Sequence, residues 1–478
     1  MRRALCWMVA ALALAAGSSV AVPAAAEPDL AAATTSDTLT LEQVLRAVRD
    51  SHPDMEGARA RVDVAEGWSL EADGGWDPKV KLSGKGLPLG KYTKGQLEAL
   101  VTQESPLWGA RFHAGWRRGF GDFPVYDGYL ETLSGGEVRA GVDVPLWRGG
   151  PIDRRRADIA AAEVGVERSN HELRATALDL AAEAARAYWT WVEAGQQLTI
   201  AEQLLAVAED RTTGIERRIT AGSLEPIVSV DNQRTVLDRR TKVIDARRKL
   251  EQSAVKLSLY LRTPDGTPII ASESQLPAGF PEPVAPSEGR LASDIRQARE
   301  RRPDISALDR KTREAEIEVE LADTNVSPRI DLKAWVAKDL GTGNPDLEPL
   351  DVGVGVSVEI PLLLRKDRGK ARQAQGKLAE VRAKRRLAED KVGVEVRVAF
   401  ASLRAAWQVV ELAREARVAN ERLAAAERRR LELGESDILV VNLRELAAAA
   451  AAAAEASALA DYHRADTDYR AATAALLR

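Results

Sequence analysis

Apolar residues in the middle of the chain recur at alternating spacings of three and four positions. Two interleaved series form this seam: Leu173, Leu180, Ala187, Ala194 and Ala201, and Ala177, Ala184, Trp191, Leu198 and Leu205. A seam of this kind is typical of a helix that packs along its whole length against other helices. No proline falls between Pro151 and Pro226. The sequence therefore predicts one unkinked helix over residues 151–221, about 100 Å long.

This long helix is predicted to occur twice. Positions 212 apart carry related residues, among them Glu183 and Glu395, Ala187 and Ala399, Tyr188 and Phe400, Arg218 and Arg430, and Gly222 and Gly434. Such an internal repeat predicts a second long helix over residues 367–433. A glycine turn follows each long helix, and shorter helices are predicted to return over residues 225–262 and 437–477.

Strict alternation of apolar and polar residues begins beyond Pro328. The apolar positions are Ile330, Leu332, Ala334 and Val336, followed by Val352, Val354, Val356, Val358 and Ile360. Alternation predicts strands, and these two are each about ten residues long, the length that a tilted strand needs to cross a bilayer. We therefore expect a β-hairpin over residues 328–361 and a corresponding hairpin region over residues 78–147.

The first hairpin region is 34 positions longer than the second. Its surplus contains two more alternating runs, within residues 95–119. Two interpretations stay open. The runs form an added hairpin, which gives the first half four strands instead of two, or they belong to a long loop.

The amino terminus has the features of a secretory signal peptide. Arg2 and Arg3 precede an apolar run, and a stretch of alanines before Glu27 offers a cleavage site. The only cysteine, Cys6, lies inside this segment. We expect export, without disulfides and without a lipid on an amino-terminal cysteine.

The domain organisation follows from these elements. We predict a signal peptide at residues 1–26, a first repeat at residues 27–263 and a second repeat at residues 290–478. Residues 264–289, which carry six prolines between Pro264 and Pro286, form the linker between the repeats.

Composition and motifs argue against several kinds of chemistry. A net charge of −4 with 29% charged residues gives no sign of a nucleic-acid partner. The four histidines are His52, His113, His171 and His463, and they lack metal-ligand spacing. No glycine-rich phosphate loop follows a predicted strand, and no serine stands in a nucleophile elbow. The sequence predicts no enzyme, no metal site and no cofactor.

The order of elements resembles the TolC family of outer-membrane efflux proteins. Five segments carry the resemblance besides the signal peptide: the opening at residues 41–53, the strand ends at residues 145–150 and 361–363, and the glycine turns at residues 218–223 and 430–436. The resemblance implies an α+β membrane protein built from two internal repeats. Long antiparallel helical coiled coils would form a periplasmic α-barrel, joined to a transmembrane β-barrel.

The resemblance also implies a function and partners. Members of the family are homotrimeric exit ducts of tripartite efflux or type I secretion systems. Such a duct sits in outer-membrane lipid, meets a periplasmic adaptor protein and an inner-membrane pump, and conducts cargo passively to the exterior. The cargo stays open, because drugs, metal ions and polypeptides would use the same passage. The alternative is a periplasmic coiled-coil scaffold or adaptor without a membrane barrel.

Two sets of site residues follow from the resemblance. Junctions between strands and helices are expected at Pro78, Pro145, Pro328 and Pro361. A periplasmic tip that is closed at rest is expected at Arg218, Gly222, Arg430, Gly434, Glu435 and Asp437. The competing interpretation of these charged residues is ordinary helix-end solvation. Val440 and Leu443 stand where family members carry an acidic selectivity ring, so such a ring is not expected here.

The added hairpin has a consequence that involves two tryptophans. As part of a barrel it would place Trp108 at the periplasmic interface beside Trp147, where aromatic belts occur. A long extracellular loop would instead place Trp108 outside the cell. With the hairpin, each chain supplies six strands, and a trimer closes a wider barrel of eighteen.

Overall fold

The computed structural model describes residues 38–476. The predicted signal peptide, residues 1–26, lies outside the described residues. Eight α-helices have these bounds: α1 Leu41–Ser51, α2 Pro53–Asp73, α3 Arg154–Thr220, α4 Ile227–Leu257, α5 Leu291–Arg301, α6 Pro303–Thr324, α7 Arg365–Glu432 and α8 Ile438–Ala472. Both halves have the same order of two short helices, strands, a helix of 67 or 68 residues and a returning helix.

The helix starts have local causes. Thr40 caps α1 by accepting a hydrogen bond from the Gln43 N–H, and the Gln43 side chain accepts one from the Thr40 N–H. This reciprocal pair satisfies two backbone donors that a helix start leaves free. Pro53 and Pro303 open α2 and α6 at a position where the missing N–H costs nothing.

The main core surrounds the middle of α3. Trp191, Val192 and Leu198 are fully or almost fully buried there, against Val44 of α1 and Leu257 of α4. The Tyr188 hydroxyl donates a 3.0 Å hydrogen bond to the Leu39 carbonyl oxygen and fixes the start of α1 to this core. The heptad seam therefore packs against one short helix and the returning helix on the same face.

Smaller clusters hold α7. Val392 and Val396 pack with Ile295 of α5, and Leu403 and Val410 pack with α8. The linker also packs on the bundle, because His463 of α8 contacts the Pro281 carbonyl at 3.1 Å and stacks on Trp189 at 4.4 Å.

One antiparallel sheet contains six strands in sequence order. The strands are β1 Lys79–Leu87, β2 Lys94–Glu104, β3 Arg111–Gly121, β4 Gly136–Pro145, β5 Arg329–Leu340 and β6 Leu350–Glu359. The ladder between β2 and β3 runs from the Lys94–Gly121 pair to the Glu104–Arg111 pair. The added hairpin is thereby confirmed as part of the sheet. Trp108 lies against Gly150, three residues beyond Trp147. A Cβ on Gly150 would come within 2.6 Å of Trp108 Nε1, which shows how close the two residues are.

The two faces of the sheet differ sharply. Side chains on the apolar face are exposed to different degrees: Val80, Leu82, Leu97, Val101, Phe112, Val138, Val336, Val352, Val354, Val356 and Val358. The alternate positions form the polar face: Lys79, Lys81, Glu98, Arg111, Arg117, Glu137, Arg139, Asp143, Lys333 and Asp339. Among residues 38–476 no layer covers the apolar face, as a sheet that meets lipid requires.

No helix among residues 38–476 is both long and apolar enough to span a membrane.

Candidate functional site

The predicted tip consists of the two turns that reverse the helical hairpins. Both turns close in the same way. The Gly222 N–H donates to the Ile219 carbonyl at 2.9 Å and the Ser223 N–H to the Arg218 carbonyl at 2.9 Å. The second turn repeats this pattern at residues 430–435. This is the Schellman closure, which requires a left-handed residue after the helix.

Glycine supplies that left-handed residue in both turns. Gly222 has φ +70° and Gly434 has φ +78°. A Cβ built on either glycine meets no atom within 4 Å. Backbone conformation, and not lack of space, therefore requires glycine at these positions.

Two of the charged side chains of the tip, Arg430 and Asp437, form hydrogen bonds at the ends of helices of their own chain. Arg218 contributes its carbonyl oxygen to the first turn. Arg430 Nη2 donates to the Glu435 carbonyl at 3.2 Å, and Asp437 accepts from the Leu439 N–H at 3.4 Å as the cap of α8. Helix-end capping accounts for these contacts, and a gate formed by several copies stays a prediction.

A buried ionic cluster lies about three turns from the tip, and sequence reasoning missed it. Its centre is Glu445 of α8, which is 3% exposed. Arg211 of α3 lies 2.5 Å from Glu445 Oε1, Arg239 of α4 lies 3.1 Å from Oε2, and Arg428 of α7 lies 3.5 Å from Oε1. We call Arg211, Arg239, Arg428 and Glu445 the Glu445 cluster. It joins helices of both halves.

Burial controls the electrostatics of this cluster. Removal from water lowers the pKa of Arg239, and the hydrogen bond that Arg239 donates to Glu445 opposes that shift. Arg239 Nη1 also donates to the Leu204 carbonyl at 2.7 Å, so both terminal nitrogens of Arg239 are hydrogen-bonded. A buried charge is stable only when it is paired and hydrogen-bonded in this way. The one sequence feature that could have pointed to this cluster is an acid, Glu445, next to the alanine run at residues 447–454.

The polar face of the sheet neutralises much of its own charge. Arg117 Nε donates to Glu137 at 2.9 Å, and Arg111 Nε donates to Glu104 at 2.9 Å. Arg139 forms an ion pair with Glu98. Within residues 38–476 no group of three His, Cys, Asp or Glu side chains could hold a metal ion.

The predicted junction prolines stand at the strand ends. Pro78 and Pro328 directly precede β1 and β5, Pro145 is the last residue of β4, and Pro361 lies between β6 and α7. All four are therefore at the end of the sheet that adjoins the helices. Proline has no backbone N–H to donate to a neighbouring strand. It therefore suits the end of a strand better than the interior of a sheet.

Comparison with known proteins gives a consistent result. A family model described as "Outer membrane efflux protein" matches residues 131–261 and 295–476. The fold is similar to that of three solved channels. CusC superposes with a TM-score of 0.64 at 15% identity, covering 91% of both chains.

The outer-membrane channel CmeC of Campylobacter jejuni has a TM-score of 0.61 at 13% identity and covers 91% of this chain and 85% of its own. The open state of the MtrE outer-membrane channel of Neisseria gonorrhoeae has a TM-score of 0.62 at 16% identity, with 92% and 89% coverage. The search of curated proteins found no match. At such identities the structural likeness shows the fold alone.

Proposed function

The chain belongs to the outer membrane efflux protein family, and we propose that it is the outer-membrane exit duct of a tripartite efflux or type I secretion system. Its location is the Gram-negative outer membrane, with a large helical part in the periplasm. The observation that carries the proposal is the uncovered apolar face of the sheet. The chain continues from this sheet into helices of 67 and 68 residues. Lipid is the environment that suits such an apolar face.

The open edges of the sheet support a trimer. Within the described part of the chain, strands β1 and β6 each have one neighbour, and backbone groups at membrane depth must all be paired. In our proposal β6 of one copy pairs with β1 of the next, and three sheets of six strands close a barrel of eighteen. In an antiparallel seam Lys79 and Lys81 on the polar face of β1 would meet Glu359 of β6 near the helices, and Lys85 would meet Asp351 at the remote end, so the seam joins opposite charges.

An uncovered stripe on α7 supports the same assembly in the helical part. Its apolar residues are spaced as in a second heptad seam and are more than half exposed: Leu387, Val394, Val398, Val409 and Leu412. In a ring of copies this stripe packs on the neighbouring copy, which closes the periplasmic α-barrel. An adaptor or scaffold without a barrel would leave both this stripe and the apolar face of the sheet uncovered.

The tip at residues 218–223 and 430–437 is the part of the duct that would meet the adaptor and pump. We propose that three copies bring Arg218, Arg430, Glu435 and Asp437 into rings that close it at rest. Arg430→Gln combined with Asp437→Asn removes charge but keeps a side chain that can cap α8. Single-channel conductance in planar bilayers should rise, and unchanged conductance and ion selectivity would rule out the gate.

Fractionation and reconstitution test the duct itself. The full chain, expressed in a Gram-negative host, should be recovered from outer membranes as a trimer. After purification it should form ion-conducting channels in planar bilayers. Recovery of a soluble monomer from the periplasm would contradict the proposal.

A further inference from the structure

The connection between β3 and β4 folds back over the polar face of the sheet. We call residues 122–135 the β3–β4 loop; it contains a short 3-10 turn, Val125–Leu130. Because β3 ends here at Gly121 and the helices join the sheet at Pro78 and Pro145, the loop lies at the end remote from the helices.

Gly119 shows which face the loop covers. Gly119 pairs with Gln96 and alternates along β3 with Phe120, so its side-chain position is on the polar face. A Cβ on Gly119 would come within 2.2 Å of the Leu130 carbonyl oxygen and 2.9 Å of the Phe123 ring. The loop therefore rests directly on the polar face, and glycine makes room for it.

Two polar contacts fix the loop to the same face. Asp127 forms an ion pair with Lys94 of β2, and both side chains are about four-fifths buried. Asp339 of β5 accepts a 3.0 Å hydrogen bond from the Leu133 N–H, and Asp339 is 8% exposed. These residues come from separate strands, so the loop is held across the width of the polar face.

The opposite side of the loop is apolar and uncovered. Phe123, Leu130 and Leu133 are turned to the sheet or partly covered, whereas Val125, Tyr126 and Tyr129 are 100%, 74% and 69% exposed. Exposed aromatic residues held on a polar, charge-paired surface are unusual and indicate a functional surface. In a duct lined by the polar face, they point away from the wall.

We propose that the β3–β4 loop forms an aromatic constriction inside the outer end of the duct. The inference rests on the proposed function, since it requires that the polar face lines the passage. Three copies would bring Val125, Tyr126 and Tyr129 together as a ring. An apolar ring opposes the passage of hydrated ions and polar solutes by excluding water, while planar phenol rings accept apolar and aromatic cargo. The Lys94–Asp127 ion pair and the hydrogen bond from the Leu133 N–H to Asp339 hold the ring in place.

The test compares single-channel conductance of the full-length trimer in planar bilayers. Tyr126→Ala combined with Tyr129→Ala should raise conductance by roughly twofold or more, because the dewetted ring is removed. Phe120→Ala is the matched control. It removes an aromatic ring at the same level of the sheet but on the apolar face, over Gly95, so conductance should not change.

A cysteine variant keeps the proposal testable if the double variant fails to assemble. Cys6 is the only cysteine in the chain, so Tyr129→Cys with Cys6→Ser gives one reactive thiol per copy. A bulky, water-soluble thiol reagent should lower conductance in up to three steps. Labelling without any change in conductance would overturn the constriction.

The two proposals fail in different ways. If the unmodified protein forms no channel, the duct itself is wrong. If it forms channels and neither the tyrosine substitutions nor thiol labelling changes conductance, the duct stands and the loop lies outside the passage.

Discussion

The two long helices have the same seam but different second faces. At positions 212 apart, Leu180 and Val392, Ala184 and Val396, Tyr188 and Phe400, Trp191 and Leu403, and Leu198 and Val410 are all buried. On the other side, Ala185 and Val192 of α3 are fully buried, whereas the corresponding Arg397 and Arg404 of α7 are exposed. The seam belongs to the repeat, but the second face depends on the position of each helix in the bundle.

This difference separates stability from assembly. Helix α3 contacts α6 and α8 in addition to α1, α2 and α4, so its folding is complete within one chain. Helix α7 leaves its second stripe uncovered. We therefore expect substitutions in α3 to act on folding and substitutions in the α7 stripe to act on the trimer.

The largest effect is expected at Trp191. Trp191→Ala removes a fully buried side chain from the main core and should lower the free energy of unfolding by about 3–5 kcal/mol. Denaturant titration of the detergent-solubilised protein measures this change. Val398→Ala, in the exposed stripe of α7, should instead favour monomers on native gels. If both variants lost the trimer equally and neither changed the free energy of unfolding, α3 and the α7 stripe would not differ in their roles in folding and assembly.

An effect of similar size is expected at the Glu445 cluster, because it joins the two halves. Glu445→Gln leaves Arg211 and Arg239 buried beside a neutral group and should cost about 3–5 kcal/mol. Glu432→Gln, an exposed acid at the end of α7, should change stability by less than about 0.5 kcal/mol. Similar denaturation midpoints for the two variants would show that the cluster does not hold the halves together.

Acid should weaken the contact between the linker and α8. Burial lowers the pKa of His463 to about 4, with partial opposition from its hydrogen bond to Pro281. The unfolded chain takes up this proton below about pH 6.5 and the folded chain only near pH 4, so stability falls as pH drops through that interval, by about 2 kcal/mol at pH 5. Thermal melting at pH 7 and pH 5 measures the loss.

His463→Phe is the control for the pH effect. A phenyl ring retains the stacking on Trp189 and Phe280 but cannot take up a proton. The variant should lose the hydrogen bond to Pro281, at a cost of about 1 kcal/mol, together with the part of the acid sensitivity that His463 causes. An unchanged pH dependence would assign that sensitivity to other groups.

The smallest expected effect is at the glycine turns. Gly222→Ala and Gly434→Ala place a Cβ in the left-handed region, at about 1–2 kcal/mol each. Gly214→Ala is matched, since Gly214 is exposed inside α3 with open space around it, and it should stabilise by about 0.5–1 kcal/mol. The melting temperature of each variant measures the change. If the alanine substitutions at Gly214 and Gly222 shifted the melting temperature in the same direction, the left-handed backbone at Gly222 would not be the reason for its glycine.

Local periodicity accounts for what the sequence could predict. The seam through Trp191 and the alternation through Val354 each specify an element from neighbouring residues alone. The surplus runs at residues 95–119 fit either a hairpin or a loop, and only the ladder between β2 and β3 decides for the hairpin. The Glu445 cluster could not be predicted in this way, because its arginines come from three other helices and up to 234 positions away. The β3–β4 loop has no periodicity, and its place on the polar face depends on tertiary contacts at Gly119 and Asp339.

Electron cryomicroscopy of the purified, full-length protein tests the central claim most directly. We expect a threefold ring whose membrane wall has eighteen continuous strands, including β2 and β3 of each copy. The α7 stripe at Val394 and Val398 should be covered by the neighbouring copy. A monomer, or a threefold ring with a twelve-stranded wall and the β2–β3 hairpin outside it, would contradict the account.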